Sequence, residues 1–117
     1  SRVAQEMGVT VRDYTVAPRF CLETANGYHE WIVEFETPPA DPDHFIERID
    51  QELRTLNSDY EAKRYADMAL LMPRLVVARR GLFNDWLEEQ GKLGGQHKIP
   101  RLRSNADLND RLIELNK

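Results

Sequence analysis

The chain has 117 residues, 41% of them hydrophobic, and a formal net charge of −4 at pH 7. This length fits one domain with one core, and the acidic balance argues against a general nucleic-acid binder, which needs a basic face to neutralise phosphates. No apolar run approaches the ~20 residues of a membrane span, so we expect a soluble protein that contacts neither membrane nor, given its acidic charge, nucleic acid. The single cysteine excludes an intramolecular disulfide, which is compatible with the cytoplasmic location that we expect.

The chain opens with a short helical pattern followed by a strand pattern. Residues 1–7 have a helical spacing of apolar side chains, with Val3, Ala4 and Met7 on one face, and Gly8 ends this helix as a C-cap. Because the first residue is Ser1 and this helix starts in mid-course, we expect an excised piece of a longer protein. Residues 9–16 are rich in Val, Thr and Tyr and predict an edge strand, which Pro18 breaks or bends.

A hairpin is the next predicted element. Asn26-Gly27 is a strong tight-turn signal. Residues 20–24 form one predicted arm, and the alternating residues 28–35 form the other, which is the clearest strand in the chain. Trp31 lies on the side of that strand that we expect to face the core.

Two consecutive helices are predicted after the hairpin. The first begins at Asp41, the N-cap, with Pro42 in its first turn, and continues to Leu56. The charged residues expected on its solvent side are Asp43, Glu47, Asp50, Glu52 and Arg54. A capping box at 58–61 begins the second helix, which is predicted to run up to Pro73 with Lys63 and Arg64 as two exposed charges.

The remaining elements predict an α+β fold. Residues 75–78 are wholly apolar, which favours a central strand buried on both faces. Gly81 turns the chain into a helix that ends at Gly91, and Ser104 caps a last helix. We expect one domain over residues 1–117, built as a small antiparallel or mixed sheet with helices packed mainly on one face.

The loop between the last two helices reverses the charge of the chain locally. It carries Lys92, Lys98, Arg101 and Arg103 and no carboxylate between residues 91 and 103. Its glycines allow close backbone approach, Pro100 stiffens its exit, and a lysine there can reach an anionic group. Composition alone leaves two interpretations open, a phosphate or carboxylate contact and an ordinary basic surface.

Motifs for a complete active site are absent from the sequence. The three histidines are isolated, so no metal-ligand spacing occurs, and there is neither a nucleophile elbow nor a Walker loop. One hypothesis is therefore a stand-alone α+β ligand-binding or regulatory module without catalysis. An RNA-binding sheet is disfavoured, because Trp31 and Phe35 lie on the expected core face and the overall charge has the wrong sign.

Three motifs then fall in a recognisable order. They are Tyr-His-Glu-Trp-Ile-Val-Glu-Phe at 28–35, Asn-Ser-Asp-Tyr-Glu-Ala-Lys-Arg at 57–64, and Gly-x-Phe at 81–83 leading to Gln-His-Lys-Ile-Pro-Arg at 96–101. In this order they resemble the C-terminal domain of the auxin-responsive Gretchen Hagen family of acyl acid amido synthetases, members of the acyl-adenylating superfamily. The last motif is the specific one, and His97 with the Gly94-Gly95 pair resembles a bacterial member.

The resemblance implies a two-step ligase. A carboxylic acid and ATP would give an acyl adenylate and pyrophosphate, and an amine, usually that of an amino acid, would displace AMP to form an amide. ATP with magnesium would be bound mainly by a large N-terminal domain of the same protein. This chain would be the mobile C-terminal domain, inactive alone.

The resemblance also implies roles for three residues of the loop. Lys98 would be the catalytic lysine that enters the active site for adenylation, where its charge offsets that of the reacting anions. Gln96 and Arg101 would place the loop or contact the nucleotide. Arg101 has an alternative role, which is to anchor the loop to a carboxylate of its own domain.

Overall fold

Three strands in one mixed sheet organise the described part of the chain. The computed structural model describes residues 2–21, 26–65, 69–91 and 99–117. The elements within these ranges are α1 (Arg2–Met7), β1 (Thr10–Cys21), β2 (Asn26–Thr37), α2 (Pro42–Leu56), α3 (Ser58–Arg64), β3 (Arg74–Ala78), α4 (Leu82–Glu89) and α5 (Asp107–Leu115). The strand order is β1-β2-β3, with β1 antiparallel and β3 parallel to β2. The predicted α+β class with a mixed sheet is confirmed.

The long β1–β2 hairpin differs from the prediction in two places. β1 continues through Pro18, which lies opposite His29, and Asn26 pairs with Cys21 inside β2 instead of forming the turn. Of the two predicted effects of Pro18, a break or a bend, the break is therefore wrong, and so is the predicted turn at Asn26-Gly27. The predicted arm at 20–24 falls largely on residues 22–25, which lie outside the described residues.

The edge position of β1 explains why it tolerates a proline. The amide of Val16 points away from β2 and donates to the carbonyl oxygen of Arg101 at 2.9 Å. Alternate residues of a strand have the same orientation, so the nitrogen of Pro18 also points away from β2. The missing N–H therefore removes no hydrogen bond from the β1–β2 ladder.

β3 is an edge strand, so its prediction as the central strand is wrong. It pairs with β2, and Val77 is 40% exposed. The apolar run in β3 is explained by helices on both faces of the strand. Val76 and Ala78 pack toward α4 and α5, whereas Leu75 packs toward α1 and α2. Both faces of β3 meet helices even though its outer edge has no strand partner among the described residues.

Two core clusters lie on opposite faces of the sheet. One contains Ile32, Ala78, Leu82, Phe83, Leu87, Ile99, Leu108 and Leu112. The other contains Val3, Ala4, Val9, Val33, Phe35 and Phe45. Because neighbouring residues of β2 point to opposite faces, α4 and α5 cover one face and α1 and α2 cover the other. The sequence pattern placed the helices mainly on one face, and the structure differs in this respect.

The helix boundaries follow local capping. Asp41 Oδ1 accepts a hydrogen bond from the His44 amide at 3.2 Å, which confirms the predicted start of α2. Asn57, one residue before the predicted capping box, caps α3 by accepting from the Tyr60 amide at 3.0 Å. No described helix is both long and apolar enough to cross a bilayer.

Two helix extents differ from the sequence pattern. α3 ends at Arg64 and does not run up to Pro73, although residues 66–68 lie outside the described ranges. α5 begins at Asp107, later than the predicted Ser104 cap. The Asn105 side chain instead accepts from the Asp107 amide at 3.1 Å, and this local bond fixes the start of α5.

Candidate functional site

Residues 100–103 cover part of the outer edge of β1. The Val16 amide donates to the Arg101 carbonyl oxygen at 2.9 Å, and the Arg103 amide donates to the Val16 carbonyl oxygen at 3.0 Å. These bonds make an isolated parallel bridge between Val16 and Leu102. The segment that leaves the basic loop is therefore hydrogen-bonded to the sheet.

Thr15 adds a third hydrogen bond to this attachment. Its side-chain Oγ1 donates to the carbonyl oxygen of Pro100 at 2.6 Å, and Thr15 is 0% exposed. The preceding residue, Ile99, is 3% exposed and packs in the core cluster with α4 and α5. The chain is thus held by side-chain burial and hydrogen bonding from Ile99 onward.

The other side of the loop also has a defined geometry. α4 ends at Glu89, and Gly91 has a φ of +70° with its amide donating to the Glu88 carbonyl oxygen at 3.0 Å. Lys98 and Gln96, two of the three predicted site residues, lie outside the described residues. Their proposed roles stay predictions.

Arg101 is the predicted site residue that the structure describes. Its Nε lies 3.4 Å from Asp13 Oδ1, and its guanidinium carbon lies 5.0 Å from the centroid of the Tyr14 ring. These contacts fit the alternative in which Arg101 anchors the loop to a carboxylate of its own domain. The side chain is still 60% exposed, so guanidinium N–H donors remain open to an anionic group.

An open cavity of about 530 Å³ lies beside Arg101, between β1, α1 and α2. Apolar side chains line most of it, including the stacked rings of Tyr14 and Trp31, whose centroids are 5.5 Å apart. The ion pair between Arg2 and Glu52, at 3.0 Å, lies at the same cavity. The cavity volume is within the range of small-molecule sites, and no signal in the sequence predicts this cavity.

Buried Glu34 connects the central strand to α4. Its two carboxylate oxygens accept from the amides of Gly81 and Phe83, both at 3.1 Å, and Glu34 is 1% exposed. Gly81 has a φ of +87° and no side chain with which to cap the helix. The carboxylate of β2 therefore supplies the negative charge that stabilises the start of α4.

The 57–64 motif contains a buried polar network instead of two exposed charges. Arg64 donates from Nε to Asp50 Oδ1 at 2.8 Å and from Nη2 to Asp50 Oδ2 at 2.9 Å, and the Tyr60 hydroxyl donates to Asp50 Oδ1 at 2.6 Å. Arg64 is 6% and Asp50 4% exposed. The predictions of an exposed Arg64 and a solvent-facing Asp50 are wrong, whereas Lys63 is exposed as predicted.

The network sets the charge state of Asp50. Burial by itself would raise the pKa of Asp50. The hydrogen bonds from Arg64 and Tyr60, together with the charge of Arg64, outweigh this effect, so the pKa of Asp50 lies below its ordinary value. The carboxylate therefore stays ionised next to the guanidinium. All three side chains satisfy one another inside the domain, which indicates a structural role for this part of the motif.

The available donors fit an anion better than a metal ion. Within the described ranges, no group of three or more His, Cys, Asp or Glu side chains is placed to hold a metal. At the outer edge of β1, by contrast, the exposed side chains of Arg101 and Arg103 offer guanidinium donors suited to phosphate or carboxylate.

Comparisons with known proteins identify relatives of this fold. The family model of the GH3 family C-terminal domain matches residues 1–107. Among solved structures, a GH3.15 acyl acid amido synthetase aligns with a TM-score of 0.70 and 16% identity, over 98% of this chain and 20% of that chain. The AtGH3.15 acyl acid amido synthetase in complex with 2,4-DB gives a TM-score of 0.70 and 18% identity, over 98% and 21%. The chain spans about a fifth of their length, and no curated protein matches it.

Proposed function

Because the chain belongs to the GH3 family, whose C-terminal domain it matches over residues 1–107, we propose that it is the mobile C-terminal domain of a larger ATP-dependent acyl acid amido synthetase. That protein adenylates a small carboxylic acid and transfers the acyl group to an amine, which we take to be that of an amino acid. The family match is the observation that carries the proposal. The fold likeness to two amido synthetases supports it.

The proposal assigns the nucleotide mainly to an N-terminal domain of the same protein. ATP supplies the adenylyl group there, and a magnesium ion offsets the charge of its phosphates. The 117-residue chain alone is then inactive, because the domain that binds most of the nucleotide is not part of it. We propose the cytoplasm as the compartment, and the single cysteine is compatible with a reducing environment.

Lys98 is the residue that we propose for catalysis. A carboxylate that approaches a triphosphate brings anions together, and a positioned ammonium group lowers the free energy of that arrangement. Lys98 is bonded to Ile99, whose burial fixes the chain on its C-terminal side. This attachment supports the proposal, because a positioned charge stabilises a transition state better than a freely moving one.

Gln96 and Arg101 complete the proposed contact with the nucleotide. Arg101 is held at Asp13 and Tyr14, yet more than half of its side chain is exposed. It can therefore donate to a phosphate oxygen while it keeps its cation–π contact. Gln96 either contacts the nucleotide or places the loop.

A second candidate function is a stand-alone ligand-binding or regulatory module. The observation that favours it is the open cavity of about 530 Å³ beside Arg101. Light scattering of the isolated chain separates the two functions, because a stable dimer that retains its own ligand would favour the module. A ligand-free monomer would favour the C-terminal domain of a ligase.

The test of the proposed function is ATP–pyrophosphate exchange by the full-length protein with a panel of small carboxylic acids. We expect exchange that depends on one class of acid, and amide formation when an amino acid is added. The 117-residue chain alone is expected to give neither. Exchange by that chain alone, or a full-length protein that does not bind ATP in calorimetry, would contradict the proposal.

A further inference from the structure

We infer that Thr15 is a positioning residue that holds the chain at Pro100 and thereby sets where Lys98 enters the adenylation site. The inference rests on the proposed function and extends it to a residue on β1.

Pro100 has one backbone hydrogen-bonding group, its carbonyl, because proline lacks an N–H. Thr15 Oγ1 donates to that carbonyl oxygen at 2.6 Å. The next attachments, between Val16 and residues 101 and 103, begin one residue later. Among the described residues that follow Lys98, Pro100 is therefore the first whose backbone is hydrogen-bonded, and its partner is Thr15.

Thr15 is buried, so its hydroxyl is shielded from water and directed to the carbonyl oxygen of Pro100. The residue lies opposite Ile32 in the β1–β2 pairing and is 0% exposed. Valine has the same branched shape and would fill the same space in the strand. It cannot donate to Pro100, so the difference between Thr and Val at this position isolates the hydrogen bond.

The short chain distance explains why this bond matters for Lys98. Lys98 lies two positions before Pro100 in the sequence, so the chain between them can span about 7 Å at most. Ile99, which lies between them, is buried in the α4–α5 cluster. Without the Thr15 bond, the burial of Ile99 alone would hold the chain between Lys98 and Arg101. A catalytic group that is misplaced by about 1 Å can lose roughly 100-fold in rate.

The experiment compares Thr15→Val with Thr15→Ser in the full-length protein, each alone and combined with Lys98→Ala. We expect Thr15→Val to lower the maximal exchange rate by about 10- to 100-fold with the KM for ATP changed by about 2-fold at most, since the contact acts on the transition state. Thr15→Ser keeps the hydroxyl and is expected to retain the rate. In the Lys98→Ala background, Thr15→Val should cause no further loss, because both changes remove the same interaction.

A second measurement follows the attachment itself. Amide hydrogen exchange in full-length protein should become faster at Val16 and Arg103 in Thr15→Val and stay unchanged in Thr15→Ser. Unchanged protection in Thr15→Val, or a rate loss of equal size with and without Lys98, would overturn the inference. If Lys98→Ala abolishes exchange while Thr15→Val is normal, the positioning role alone fails. If Lys98→Ala itself exchanges normally, the proposed function of Lys98 fails, whereas the amide protection still decides whether Thr15 holds the segment.

Discussion

Arg64 binds both carboxylate oxygens of Asp50, at 2.8 and 2.9 Å, in a pair that is almost fully removed from solvent. The same guanidinium donates from Nη1 to the carbonyl oxygen of Leu70 at 3.2 Å. One side chain of α3 therefore joins α2 to the segment that leads into β3. This contact lies within the crossover between the parallel strands β2 and β3.

Replacing Arg64 by alanine should lower the free energy of unfolding by about 3–5 kcal/mol, because it leaves the Asp50 carboxylate buried without its counter-ion. Urea unfolding measures the change. Lys63 is the matched control, since it precedes Arg64 on the same helix and is exposed. Lys63→Ala should stay within about 0.5 kcal/mol of the wild type. Equal effects of the two substitutions would contradict the buried pair.

The pH dependence of stability should carry a contribution from His29. Burial, together with the charge of Lys63, holds the pKa of His29 below its ordinary value of 6.5. The unfolded chain then binds a proton more tightly than the folded chain, so the free energy of unfolding falls as the pH is lowered through 6.5. His29→Phe keeps a ring beside Tyr60 and should remove this fall in stability below pH 6.5. An unchanged pH profile in urea unfolding would refute the assignment.

Local sequence signals predicted the elements that are governed by neighbouring residues. The alternation in 28–35 gave β2, and Asp41 with Pro42 gave the start of α2. The apolar run in β3 was misinterpreted, because helices on both faces produce the same pattern as a central strand between two others. Only the spatial order of the strands distinguishes the two cases, and that order depends on contacts distant in sequence.

The contacts that support the candidate site are also distant in sequence. Thr15 and Pro100 are 85 positions apart, and Arg64 and Asp50 are 14 apart. A threonine in a strand carries no sign that its partner is a backbone carbonyl, so the role of Thr15 cannot be predicted from the sequence. The motif at 96–101 indicated the family, which the family match confirms, whereas the roles of Lys98 and Gln96 stay predictions.

The buried carboxylate of Glu34 should contribute to the free energy of unfolding, because it accepts hydrogen bonds from two amides at the start of α4. Glu34→Gln replaces one acceptor oxygen by an NH₂ group that faces the amide of Gly81 or Phe83. We expect a loss of about 1–3 kcal/mol in the free energy of unfolding, since a buried donor is left unsatisfied. Glu36, two residues along β2 and exposed, is the control, and Glu36→Gln should have little effect. A neutral Glu34→Gln would show that the carboxylate does not stabilise α4.

Gly81 should resist substitution because of its backbone conformation. Its φ is +87°, and an added Cβ would meet no atom within 4 Å, so the cost arises from the left-handed backbone alone. Gly81→Ala should lose about 1–2 kcal/mol, and Gly81→Asn should lose less, because asparagine tolerates this region better. Gly27→Ala is the control in β2, where an added Cβ would lie 3.4 Å from the Arg19 carbonyl oxygen. Thermal unfolding of the three variants compares them, and an equal cost for Gly81→Ala and Gly27→Ala would contradict the backbone argument.

The most direct test of the central claim compares the two half-reactions in the full-length protein with Lys98→Ala. We expect ATP–pyrophosphate exchange to fall by about 100-fold or more, the scale of removing one transition-state contact. Aminolysis of a supplied acyl adenylate should remain within a few-fold of the wild type, and Lys63→Ala, which removes an exposed charge of α3 outside the loop, should leave exchange nearly unchanged. Normal exchange by Lys98→Ala, or an equal loss in both half-reactions, would contradict a lysine that acts in adenylation.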